Sequence, residues 1–136
     1  MEIYAKRRGN ENLESFARRT SDLFGIGNLE ERDSSSYVGE VYYLGSALCV
    51  ELAFGTADND RLTDYDYCIW VTSDGIVTDA RNSLDGLIDL LARRMTVNGD
   101  SVAWRPSNGK NGPIVFYELD QTAPEFTPEQ VIVTRR

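Results

Sequence analysis

The run "ALCVELAF", residues 47–54, sets Leu48, Val50, Leu52 and Phe54 in strict alternation with Cys49, Glu51 and Ala53. A period of two puts the first set on one face of a β-strand and the second on the other, which no helix can do. One such strand needs neighbours. "YVGEVYYL", residues 37–44, precedes it and "YDYCIWV", residues 65–71, follows, and both are rich in aromatic and β-branched residues. A three-stranded antiparallel meander is therefore expected, with Gly45–Ser46 as a tight turn and residues 55–64 as a loop. In the third strand Tyr65, Tyr67, Ile69 and Val71 share one face, and Asp66, Cys68 and Trp70 the other.

The period changes on either side of the meander. Residues 11–24 place Leu13, Phe16, Ala17, Thr20, Leu23 and Phe24 on one helical stripe, with Asn10 or Asn12 as cap and Gly25 as exit. Residues 79–95 repeat the pattern with Leu84, Leu87, Ile88, Leu91 and Met95, and Asn98–Gly99 ends it. Short strands are expected at Ile3–Ala5, "SVAWR" and "PIVFYEL", with the turn-rich "PSNGKNG" between the last two and "EERDSSS", residues 30–36, as a polar loop. In the tail, "TPEQ" has helix-start character and "VIVT" strand character. This order predicts one α+β domain over residues 1–136: an antiparallel sheet of about five to six strands with two main helices packed on one face. Leu13, Phe16, Val50, Ile69, Leu87 and Leu91 should share its core.

A chain of 136 residues, 41% hydrophobic and 26% charged, buries enough surface to fold without metal or disulfide. Its two cysteines, Cys49 and Cys68, are expected as free packing thiols in a reducing compartment. No apolar run is long enough for a membrane span and no signal-peptide pattern follows the first residues, so the expected location is the cytoplasm, with no membrane partner. Histidine is absent, which removes the commonest general base, nucleophile activator and transition-metal ligand.

The net charge of −8 disfavours nucleic acid, whose affinity for proteins comes largely from Lys and Arg. Its distribution is uneven. Residues 36–80 carry Arg61 against Glu40, Glu51, Asp58, Asp60, Asp64, Asp66, Asp74 and Asp79, a net −7 that leaves −1 for the rest. Strand phase sets Trp70 beside Asp66 and Tyr42 beside Glu40. Rings next to carboxylates suit the grip on a basic protein, the rings as anchors and the carboxylates for steering and arginine pairing. Core packing of the rings and a merely solvated acidic face are the plainer readings of the same residues.

Sharper chemistries fit less well. An EF-hand loop starting at Asp58 would need an oxygen ligand where Leu62 stands and glycine where Thr63 stands, so an irregular cation site is the most that remains. Asp58 and Asp60 are better read as loop formers whose side chains bond nearby amides. Glu40, Glu51 and Asp66 on adjacent strands are the candidates for carboxylate hydrolysis, but no catalytic, cofactor or metal motif accompanies them. "NGKNG" lacks the phosphate-loop pattern and reads as a turn.

The stretch "SSYVGEVYYLGSALCVELAFGTADNDRLTDYDYCIWV", residues 35–71, resembles the immunity proteins of bacterial polymorphic toxin systems, including contact-dependent growth inhibition. The likeness lies in a tyrosine-rich strand, a glycine turn, a second strand, an acidic loop and an aromatic strand, over about a quarter of the chain. It implies a cytoplasmic protein that binds and neutralises one cognate toxin domain, often a nuclease, and it carries over no catalytic residue. Charge and strand phase then nominate Glu40, Tyr42, Glu51, Asp58, Asp60, Asp64, Asp66 and Trp70 as the partner-binding set. The competing classes are a small carboxylate-dependent hydrolase and an acidic adaptor module.

Overall fold

The computed structural model describes residues 1–47, 50–73, 80–105, 112–120 and 131–136, with backbone alone for Glu40, Ala47 and residues 80–83. Strands β1 (Glu2–Ala5), β2 (Glu30–Asp33), β3 (Val41–Ala47), β4 (Val50–Thr56), β5 (Tyr67–Ser73), β6 (Val102–Arg105), β7 (Val115–Leu119) and β8 (Val131–Arg135) form one antiparallel sheet. Its order is β2-β3-β4-β5-β1-β6-β7-β8. Helices α1 (Leu13–Phe24) and α2 (Ala80–Val97) pack on the same face, α1 over β3 and β4 and α2 over β6 to β8. The α+β class and the one-sided helices are as expected from the sequence. Among the described residues the sheet has eight strands, more than the five to six predicted.

The additional strands are at the edges. β2 is the "EERD" of the expected polar loop; all four side chains are exposed, and Arg32 pairs with Glu30 at 2.6 Å. Charge on an edge strand discourages further pairing, so a strand there need not look hydrophobic. At the other edge β8 keeps Val131 buried and exposes Ile132 and Val133. The strand character of "VIVT" prevails; "TPEQ" lies outside the described residues, as do most of "PSNGKNG", Leu48 and Cys49.

The meander keeps its phase but shifts its turn. Val50, Leu52 and Phe54 face the helices with Tyr67, Ile69 and Val71, and Glu51 is exposed on the other side. Gly45 and Ser46, however, pair within the ladder with Leu52 and Glu51, so the reversal lies beyond Ala47. A Cβ on Gly45 would stand 2.7 Å from Ile26 Cγ2, so this glycine permits close approach of the segment after α1 and makes no turn.

Phe16 stacks on Tyr67 with centroids 4.5 Å apart and meets Phe54 edge-on at 6.2 Å. Val50 and Ile69 are buried in the same cluster, and Leu13, Leu87 and Leu91 pack against it half-buried. Asn12, not Asn10, caps α1, its side chain accepting from Ser15 N at 2.9 Å. Both helices close in the same way. Gly25 and Gly99 take positive φ, while Ile26 N donates to Ser21 O and Asp100 N to Met95 O. After α1 the next residue is an ordinary apolar one, Ile26. After α2 it is Asp100, a buried carboxylate that receives Arg19 Nη1 and Nη2 at 3.1 and 3.0 Å and lies 3.0 Å from Arg8 Nε. Arg19 also pairs with Glu11 at 3.0 Å, so the four charges tie the loop after β1, α1 and the exit of α2 together. Among the described residues no helix is long and apolar enough to cross a membrane.

Candidate functional site

The sheet face opposite the helices carries a second, smaller apolar cluster of Tyr4, Leu62, Cys68, Ala103 and Ile114. Leu62 comes from the loop between β4 and β5, which folds across β1 and β6 on this side. Asn59 fastens it: Nδ2 donates to the Tyr4 hydroxyl at 3.1 Å, and Oδ1 accepts from Arg61 N at 2.9 Å. The backbone-bonding role expected of Asp58 and Asp60 thus falls to Asn59. Asp58, Asp60 and Asp64 are exposed and bind no cation among the described residues.

Asp58 and Asp60 border a cavity of about 500 Å³, shared with Glu2, Tyr4, Arg61 and Arg105. Glu2 is occupied there, accepting from the Tyr4 hydroxyl at 2.5 Å and pairing with Arg105 at 3.1 Å. Burial, and next that bond to Glu2, holds the Tyr4 phenol well above its usual range, so it remains a donor.

Glu2 is also opposite Trp70 in the β1–β5 ladder, which brings the cavity up to a group of rings. Tyr37 stacks on Tyr42 with centroids 4.1 Å apart and meets Trp70 edge-on at 5.0 Å. All three are half-buried, presenting apolar surface without being core. Gly55 beneath them makes the arrangement possible, since a Cβ there would lie 2.6 Å from Trp70 Cζ3 and 3.1 Å from Tyr37 Cδ1. Glu51 is exposed on the same face; burial first, then Tyr42 and Glu51, raises the Tyr37 pKa.

The nominated residues divide accordingly. Tyr42 and Trp70 come together with Glu51 on their face, and Asp58 and Asp60 adjoin them across Glu2. Asp64 is exposed on the same loop. Asp66, half-buried, accepts from Arg7 N at 2.8 Å through its Oδ2 and so ties β1's exit to the loop. Tyr65 is corrected, because it precedes the strand and packs with Phe116 on the open face, away from Tyr67. Glu40 ends a short turn at Val38–Glu40, but its side chain lies outside the described residues, as do Asp74 and Asp79.

Glu51 pairs with Thr72, six residues along from Asp66, so these carboxylates stand roughly 20 Å apart and do not face one another. Cys68 is a buried free thiol whose pKa is raised, first by burial and then by Glu2, which leaves it a poor nucleophile. Among the described residues no three acidic or cysteine side chains gather as a metal site.

Sequence reasoning missed Tyr37, the ring that joins Tyr42 to Trp70, because it was placed inside a strand. It missed Glu2, Tyr4 and Arg105 because only the central position of β1 brings the amino terminus beside residues 58–70. No family model, curated protein or solved structure matches the chain.

Proposed function

We propose that this chain is an immunity protein that binds a basic toxin domain with the open face of its sheet, from Tyr42 across Trp70 to Asp58 and Asp60. The observation that supports the reading is the juxtaposition of half-buried stacked rings, on a face free of helices among the described residues, with carboxylates that have no cation of their own. Rings already held by their neighbours lose little side-chain freedom on binding, and exposed carboxylates at the margin accelerate encounter with a positive surface. An arginine or lysine of the partner would enter the cavity beside Asp58 and Asp60, while Trp70 and Tyr42 bury against its apolar surround.

Expression of the neighbouring gene's product, with and without this chain, tests the reading. Co-expression should restore growth and the two proteins should co-purify. A Trp70→Ala, Asp58→Lys, Asp60→Lys triple variant that stays folded should do neither. Full protection by that variant, or a cognate partner with an acidic surface, would refute the proposed interface.

A further inference from the structure

On the helix-bearing side, away from the face discussed above, a cavity of about 380 Å³ opens between α2 and strands β6 to β8. Asp85, Gly86 and Asp89 line it from the helix, Trp104 and Tyr117 from the sheet, and Arg135 from the edge strand. Asp89 is already committed, with Oδ1 accepting from the Tyr117 hydroxyl at 2.8 Å and Oδ2 from Arg93 Nε at 2.8 Å. Two other features of the cavity are not accounted for by the fold.

The first is Trp104. It is 5% exposed, and its Nε1–H has no hydrogen-bond partner. The Tyr117 hydroxyl, which donates to Asp89, stands close to it without closing a well-formed hydrogen bond. A buried donor left in this way is destabilising, and such groups in folded proteins usually have a partner. The second is Gly86 within α2. Glycine is among the poorest helix formers. Its φ is not positive, and a Cβ there would meet nothing within 4 Å, so neither backbone conformation nor close packing requires it. Its effect is to keep that wall of the cavity open.

The remaining polar groups define what would fit. Trp104 Nε1–H and Arg135 are donors without acceptors, and Asp85 is a carboxylate without a cation, among the described residues. A plain anion meets Asp85 and Asp89. A plain cation meets Arg135 and leaves Trp104 unpaired. We propose that the cavity binds a small zwitterion of α-amino-acid type with an apolar side chain. Its carboxylate accepts from Trp104 Nε1–H and Arg135, its ammonium donates to Asp85, and its side chain lies along Val115 and Val133.

The chain contains two tryptophans, so a ¹H–¹⁵N spectrum of the full protein has two indole N–H signals, assigned with Trp70→Phe. Titration with L-valine, L-leucine and L-methionine should move the Trp104 signal saturably with at least one of them and leave that of Trp70 in place. 4-Methylpentanoate and 3-methylbutylamine, which each lack one charge, should bind at least about tenfold more weakly than L-leucine, as should L-leucine to Arg135→Gln or Asp85→Asn. Gly86→Leu, which improves helix propensity, should remain folded and lose the response. The proposal is overturned if the Trp104 signal stays still up to about 10 mM of all three amino acids. It is equally overturned if 4-methylpentanoate alone binds as well, or if Gly86→Leu responds like the parent protein.

Discussion

Asp100 sits where a helix exit normally puts an apolar side chain, and its replacement separates the energetics of a buried pair from those of its partners. Its side chain is fully buried, while those of Arg19 and Arg8 keep 24% and 35% of their exposure. With Glu11 the group is neutral, two cations against two carboxylates. At an effective dielectric constant near 20, each contact at about 4 Å between charge centres is worth about 4 kcal/mol before desolvation, which cancels most of it. Asp100→Asn removes the buried charge and its desolvation cost together, and the stranded arginines still reach water; a loss of about 1.5–2 kcal/mol is expected. Arg19→Met does the opposite. It leaves Asp100 and Glu11, 0% and 11% exposed, with Arg8 alone, and should cost about 3–5 kcal/mol. Urea denaturation followed by far-ultraviolet circular dichroism, at unchanged m-value, measures both. If Arg19→Met proves no worse than Asp100→Asn, the exposed arginines and not the carboxylate dominate, and the argument from unequal burial is wrong.

Gly55→Ala places a methyl under Trp70 and Tyr37 and should cost about 1–3 kcal/mol, with a shift in Trp70 fluorescence; an unchanged spectrum would mean the rings do not rest on that glycine. Tyr4 and Tyr117 have raised pKa values, chiefly through burial, so the stability they contribute is fully present below the unfolded tyrosine value of about 10 and is lost as pH rises toward their folded values. Denaturation midpoints should therefore fall above about pH 10, and less steeply in the Tyr4→Phe, Tyr117→Phe double variant. For the proposed complex with a basic partner, charge reversal at Asp58 and Asp60 should slow association and flatten its salt dependence, measured by binding kinetics at two ionic strengths. An effect confined to dissociation would instead indicate buried arginine pairs, worth about 2–5 kcal/mol each.

The sequence alone determined the local elements and which way their side chains face. Periods of 3.6 and two, with Asn12 and the glycines that end the helices, fixed α1, α2 and the buried sides of β4 and β5, because those patterns are set by neighbours within a few residues. It also located the acid-rich loop. It did not reveal β2, whose charges are what a sheet edge tolerates, nor that Gly45 lies inside a strand, since only contact with Ile26 requires it there. Strand order was decided by the tertiary structure. By inserting β1 between β5 and β6, the fold sets Glu2 beside Trp70 and Arg105, gives Asp66 to Arg7, and leaves Asp58 and Asp60 uncommitted. These contacts span about 60 to 100 residues of chain, and no short-range pattern encodes them, because such pairing depends on which surfaces remain to be covered once every element has formed.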